Sequence, residues 1–280
     1  MTRITARPLQ TTTQATPPAS GFSLSTDDLA ILDTVRAALV AKRTLLAYQP
    51  IMQARDTARV ALHEGLIRVR DAAGNLLPAG RFMPVVETTA LGRDIDCAAL
   101  EHGMRALHAV PGLRLAVNVS ARSVDHAGWR DTLDRWLALD PTVGERLVLE
   151  ITESSAMRAP DEICAFMRDR QRDGICFALD DFGAGHTSLR HLRAFSFDFL
   201  KIDGQFIRGI ATDRDNMGIV QAIVAMARHF EMVTVAEFVE TEDDAAVLAE
   251  MGIDCLQGHL FAAADTRPPW AGAGDPDVLA

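Results

Sequence analysis

Short apolar runs alternate with longer polar and amphipathic stretches over most of the chain. The runs lie at 45–52, 59–69, 114–120, 146–152, 176–181, 197–203, 233–239 and 254–260, and their length and apolar content predict eight strands. Most are separated by helical patterns. Residues 160–172 are closed by Gly174, and residues 241–251 start at a Thr241 cap, with Asp244 three positions on, and stop before Gly252. Ser25 followed by Asp28 has the form of a helix cap ahead of Leu29, Leu32, Val35 and Leu39, whose spacing predicts an amphipathic helix ending near Arg43.

Strand and helix in alternation imply a parallel sheet. The first connection departs from this, because only residues 54–58 separate the first two runs, whereas a parallel crossover needs about a dozen residues or more. Strand one is therefore expected to run antiparallel to strand two. The remaining runs are near-continuously apolar, as strands covered on both faces are, and eight can close a barrel. The predicted fold class is α/β: a (β/α)8 TIM-like barrel with its first strand antiparallel to the second. Residues 1–22, with Thr11, Thr12, Thr13, Pro17 and Pro18 and little apolar content, read as a disordered tail. Residues 23–265 are expected to form the barrel with its N-terminal helix, and 266–280 a flexible C-terminal tail.

Composition narrows the function. At 280 residues and 48% hydrophobic content the chain can bury one large core. A formal charge of -10 opposes any mode of binding that grips DNA or RNA polymers by neutralising many phosphates. A small phosphorylated ligand remains open, since bound cations can reverse the local charge and 38 Asp and Glu are on hand to hold them. Cys97, Cys164, Cys176 and Cys255 form no CxxC pair and have no histidine at zinc-finger spacing, so reduced, mostly buried thiols are expected. No run approaches the roughly 18 apolar residues of a membrane helix, and no basic segment precedes an apolar one at the start. A soluble cytoplasmic protein without a membrane partner is the expectation, and no accessory sensory domain is visible.

The candidate chemistry lies in or at the ends of strand after strand: Glu64, Asn118, Glu150, Asp180 with Asp181, Lys201 with Asp203, Glu237 and Gln257. In barrel enzymes the carboxyl ends of the strands form the active-site mouth, so these groups are expected to converge. Each alone is unremarkable as a solvated or salt-bridged side chain. Together they are costly interruptions of apolar strands unless they share a purpose. Alternate residues share a face, which groups Glu64 with Leu66 and Arg68, and Lys201 with Asp203. Asp180 and Asp181 diverge in a regular strand, but Phe182-Gly183-Ala184-Gly185 supplies a turn able to re-aim both toward two cations. Oxygen-only donors favour hard ions such as Mg²⁺ or Mn²⁺, and a pair of such ions is a recurrent device for phosphodiester cleavage.

Taken in order, Tyr48-Gln49-Pro50-Ile51, Glu64-Gly65-Leu66-Ile67-Arg68, Val117-Asn118-Val119-Ser120, Glu150-Ile151-Thr152-Glu153-Ser154, Asp180-Asp181-Phe182-Gly183, Leu200-Lys201-Ile202-Asp203, Ala236-Glu237-Phe238-Val239-Glu240-Thr241 and Gln257-Gly258 resemble the motifs of the EAL family of cyclic di-GMP phosphodiesterases. The resemblance covers nearly all of 45–261. It implies hydrolysis of cyclic di-GMP to linear pGpG with two Mg²⁺ or Mn²⁺ ions. Glu64, Asn118, Glu150 and Asp180 would hold the first ion, and Asp180, Asp181 and Glu237 the second. Lys201 would position the nucleophilic water, and Glu237 is also a candidate general base. Asp203 would orient the region of Lys201, and Glu153 would support the loop after Asp181. Gln49, Leu66, Arg68, Glu240 and Gln257 would contact substrate. A homodimer is implied as well. The alternative is a catalytically weak or inactive cyclic di-GMP receptor or protein-interaction module.

Three departures from the family pattern stand out. Gly65 replaces the signature Ala and Phe238 replaces the usual Gly; by strand alternation both are expected to face away from the site. Ala184, His186 and Thr187 vary a loop that usually reads Thr, Tyr and Ser. Among the histidines, His63 is expected to face outward, and His102, His108, His186, His191 and His259 have no metal-spaced partner. Asp94 and Asp96 are expected to cap or pair within a helix, and Cys176 and Cys255 to be inert thiols.

Overall fold

The computed structural model describes residues 25–184 and 192–270. Eight strands close a barrel: β1 (Thr44–Gln53), β2 (Asp56–Arg70), β4 (Leu115–Asn118), β5 (Leu147–Thr152), β6 (Cys176–Phe182), β7 (Phe199–Ile202), β8 (Val233–Ala236) and β9 (Cys255–Leu256). Strands β4 to β9 run parallel to one another and to β2, whereas β1 pairs antiparallel with both β2 and β9 and so closes the ring. The reversed first strand follows from its short connection, which is only the two residues Ala54 and Arg55, tighter than the 54–58 expected. An unforeseen short strand β3 (Leu76–Pro78) adds antiparallel to the outer part of β2.

Ser25 caps the leading helix, Thr26–Val40, through a reciprocal pair of bonds with Asp28, each such cap contributing about 1 kcal/mol. Helices Ala90–Ala109, Ala127–Leu139, Pro160–Arg170, Arg214–His229 and Glu242–Met251 cover the barrel. The outward-facing strand residues pack against them: Leu115 and Val117, Leu147, Leu149 and Ile151, Phe177 and Leu179, Leu200 and Ile202 all belong to one large core.

The inward-facing residues form two layers. Ile51, Leu62, Ala116, Val148, Ala178, Val235 and Cys255 make a separate small apolar cluster, with Phe199 packed on it. Two positions along each strand toward the mouth stand Gln49, Glu64, Asn118, Glu150, Asp180, Glu237, Gln257 and Lys201. The side-chain period of two carries an apolar plug and a polar layer on the same face of the same strands. The plug keeps water out from below, which lets the layer above it sit in a low-dielectric setting.

Some strand ends differ from expectation. The run at 254–260 yields only Cys255–Leu256, because the chain then turns beneath Val239: a Cβ on Gly258 would lie 2.1 Å from the Val239 carbonyl oxygen. The run at 233–239 stops at Ala236, and Phe238 adopts a left-handed backbone with φ +55°. Residues 266–270, expected to begin a flexible tail, instead pack on the barrel. Pro268 is buried, and Trp270 stands edge-on to Tyr48 and to His63 at 5.1 and 4.7 Å. Aromatic burial outweighs the polar character of that stretch.

Candidate active site

Lys201 is the centre of the polar layer. It is 1% exposed, and its Nζ lies 2.9 Å from Glu150 Oε2, Asp180 Oδ1 and Glu237 Oε1 and 3.4 Å from Glu64 Oε2. Asn118 Nδ2 donates to Glu64 Oε1 at 2.8 Å, and Gln257 Nε2 to Glu64 Oε2 at 2.7 Å. Gln257 also reaches Gln49 Oε1, and Gln49 is tied to the Ala262 carbonyl oxygen. Residues from all eight barrel strands or their ends thus join one network centred on this ammonium group.

That ammonium is outnumbered. Burial alone would lower the pKa of Lys201, but Asp180, Glu150, Glu237 and Glu64 hold it well above its ordinary value. Glu64 is held below the usual carboxylate range, with burial opposed by Lys201, Gln257 and Asn118. Glu150 is pushed well up by burial and then by Glu64. Glu237 is raised to about 8 by burial, with Asp180 and Glu64 adding to it against Lys201. Asp181 is raised to about 6, by burial first and then by Asp180. One lysine cannot neutralise this many buried carboxylates, and a further cation would relieve the excess.

The donor set fits a hard divalent ion. Asp180, Asp181 and Glu237 each offer an oxygen within 4.8 Å of the others. Glu237 Oε2 is buried without a hydrogen-bond partner, which leaves it free to bind a cation. All donors are oxygens, as Mg²⁺ or Mn²⁺ prefer. The described histidines stay outside this group: His63 packs on Trp270, His102 meets Thr44 and His108 meets Asp140.

The turn after β6 is fixed by its neighbours. Asp181 has a left-handed backbone at φ +55°, Gly183 follows at φ +97°, and the Ala184 amide donates to the Asp181 carbonyl. Glu153 Oε2 accepts from the Gly183 amide at 2.8 Å, and Gln205 Nε2 donates to the Gly183 carbonyl at 2.9 Å. Asp203, expected beside Lys201, instead caps the short helix Gly204–Ile207 by accepting from the Gln205 amide at 2.8 Å. Its link to the site runs through Gln205 and the turn. His186, Thr187 and His191 lie outside the described residues.

A cavity of about 400 Å³ opens over the layer, lined by Gln49, Glu64, Leu66, Asn118, Asp180, Asp181, Lys201, Glu237, Glu240 and Gln257. Arg68 is set apart: its guanidinium turns back onto the Leu66 and Ile67 carbonyl oxygens, and reaching a ligand requires leaving them. Two lining residues depart from the placement expected of them. Asp96 is buried and accepts from the Ser120 amide at 3.0 Å and Ser123 Oγ at 2.7 Å, so it joins its helix to the loop after β4 rather than pairing within the helix. Phe238 lines the cavity instead of facing outward, because strand alternation no longer holds beyond Ala236.

Gly65 does face away. A Cβ there would meet Leu46 Cδ1 at 3.0 Å and Leu115 Cδ1 and the Ala116 carbonyl oxygen at 3.4 Å, and a Leu tip can yield by the small shift required. Gly65→Ala is therefore expected to change stability by no more than about 1 kcal/mol, with stabilisation favoured. Activity should stay within about twofold, because the methyl points to the helix layer and not to the ligands. Thermal melting and turnover of the variant check both.

Fold and site together define a β/α-barrel protein with an oxygen-donor centre at the mouth. The EAL domain family matches residues 32–264, and the chain belongs to it. MucR of Pseudomonas aeruginosa, a bifunctional diguanylate cyclase and cyclic di-GMP phosphodiesterase, is 34% identical over 242 residues, covering 84% of this chain and 35% of the relative. The cyclic di-GMP phosphodiesterase PdeF of Escherichia coli is 32% identical over 239 residues, covering 84% of this chain and 32% of that one. The chain thus spans about a third of the length of these curated relatives. The structure of the PaMucR phosphodiesterase in complex with c-di-GMP superposes with a TM-score of 0.74 at 33% identity, covering 84% of this chain and 97% of that one. Among the described residues no helix is long and apolar enough to cross a membrane.

Proposed function

We propose that this chain hydrolyses cyclic di-GMP to linear pGpG, as a metal-dependent phosphodiesterase acting in the cytoplasm. The observation that carries the reading is the inward polar layer, where Glu64, Glu150, Asp180 and Glu237 surround one buried Lys201 beneath an open cavity. Relatives named for this substrate supply its identity.

Glu64, Asn118, Glu150 and Asp180 would hold one Mg²⁺ or Mn²⁺ ion, and Asp180, Asp181 and Glu237 a second. When bound, such ions lower the pKa of water and neutralise charge on the attacked phosphate. Lys201, whose three N–H groups face Glu150, Asp180 and Glu237 in this structure, would turn one of them to the attacking water and keep it oriented. Glu237, in its carboxylate form and through the oxygen that does not hold the ion, would accept the proton as the water oxygen joins phosphorus. One bond from phosphorus to a ribose oxygen breaks, that oxygen takes up a proton as it leaves and becomes a hydroxyl, and the ring opens to the linear dinucleotide. Glu153 and Asp203 hold the turn that presents Asp181. Gln49 and Gln257 line the floor, Leu66 and Glu240 meet a base, and Arg68 swings from its carbonyl partners to a phosphate, for which its planar fork is suited.

Purified protein with Mg²⁺ or Mn²⁺ should convert cyclic di-GMP to pGpG, resolved by chromatography, and a chelator should stop the conversion. Tight binding without product in the presence of either ion would instead identify a receptor. The implied homodimer belongs to the same reading, and light scattering that gives a monomer at micromolar concentration would remove it without touching the chemistry.

A further inference from the structure

Phe238 is an aromatic ring in a place whose backbone favours glycine. Its φ of +55° lies in the left-handed region, where a side chain is strained. The ring is nevertheless 45% exposed, so apolar burial does little to offset that strain. Its surroundings are built to hold it. The Arg208 guanidinium carbon lies 4.1 Å from the ring centroid, and Arg208 Nε is in turn held 3.5 Å from Glu240 Oε1. Below, the chain has Gly204, where a Cβ would fall 2.5 Å from Phe238 Cδ2 and 2.9 Å from its Cβ. Phe238 also lines the cavity, together with Asp181, Glu237 and Glu240.

We propose that Phe238, backed by Arg208 and seated on Gly204, is a stacking platform for one guanine base of the dinucleotide and sets substrate affinity. The inference rests on the phosphodiesterase reading above. Every nucleobase has a flat face that an aromatic side chain accepts without hydrogen-bond matching. An uncharged ring suits this rim, since the carboxylate-rich layer beside it would repel an anionic contact. Glu240 stands next to the ring, so the face and the donor edge of the same guanine can be met together, the ring by stacking and the carboxylate by accepting from its N–H groups. Phe238 touches no reacting atom in this arrangement, so its effect falls on binding.

The test uses the full chain with Mn²⁺, and compares wild type with Phe238→Gly, Phe238→Leu and Phe238→Tyr. Turnover gives KM and kcat, calorimetry without metal gives Kd for cyclic di-GMP, and melting gives stability. Phe238→Gly should raise KM and Kd about tenfold, equivalent to about 1.4 kcal/mol, with kcat moving far less and the melting temperature not falling, because glycine relaxes the backbone. Phe238→Leu should weaken binding despite its bulk, and Phe238→Tyr should restore KM to within about twofold of wild type. Unchanged KM and Kd in Phe238→Gly, or wild-type binding by Phe238→Leu, overturns the platform while leaving the enzyme reading intact. A wild-type protein that neither binds nor hydrolyses cyclic di-GMP overturns both.

Discussion

Lys201→Met should abolish hydrolysis and lower the melting temperature of the metal-free protein by roughly 6–20 °C, the largest change expected from any single substitution in the site. The figure follows from about 3–5 kcal/mol for removing one partner of a buried ion pair, at roughly 2–4 °C per kcal/mol for a domain of this size. Methionine matches the lysine stem and keeps the packing, so the loss isolates the charge. Glu150, Asp180, Glu237 and Glu64 then face one another with no ammonium between them. Excess Mn²⁺ should recover much of the lost melting temperature, because an ion that binds the folded state alone stabilises it by mass action. Turnover should not recover, since the water would still lack its oriented donor, and a loss of at least about a hundredfold in kcat is expected. A metal-free Lys201→Met protein that melts within a degree or two of wild type would show that the carboxylates do not need their counter-ion.

The convergence on Lys201 is largely legible in the sequence, and the reason is periodicity. Leu62 and Glu64, Ala116 and Asn118, Val148 and Glu150, Ala178 and Asp180, Val235 and Glu237, Cys255 and Gln257 are each separated by two positions, an apolar residue followed by a polar one on the same strand face. The same spacing read backwards in the antiparallel β1 gives Ile51 and Gln49. Where the strand ends, the rule ends. Phe238 lies two residues beyond Ala236 in a left-handed conformation, so alternation assigned it to the wrong side. Asp181 shows the legible counterpart: it is also left-handed, but the glycine-rich segment after it announced a turn. Asp96 lies on a helix and is bound by Ser120 and Ser123 from another part of the chain. No local pattern carries such a long-range hydrogen bond. Trp270 was hidden for the same reason, its packing on Tyr48 and His63 being set by tertiary contact rather than by its Pro-rich neighbours.

Glu237→Gln should separate activity from stability in the opposite sense to Lys201→Met. Glu237 lies 2.9 Å from Lys201 through Oε1, while its Oε2 is buried with no partner. Burial and the neighbouring Asp180 and Glu64 raise its pKa to about 8, so without metal the neutral side chain is the favoured form near pH 7. Glutamine reproduces that neutral form and removes one negative charge from a crowded set, so the metal-free variant should melt at or above the wild-type temperature. Catalysis has the reverse requirement, needing a carboxylate to take up a proton and to complete the oxygen donors shared with Asp180 and Asp181. Loss of a general base costs about a hundredfold to ten-thousandfold, and kcat should fall by at least that lower figure. Stabilisation by Mn²⁺ should shrink too, since one ligand charge is missing, whereas Kd for cyclic di-GMP without metal should change little. A Glu237→Gln protein that melts well below wild type, or that retains turnover within tenfold, would show that this carboxylate stabilises the fold instead of serving the reaction.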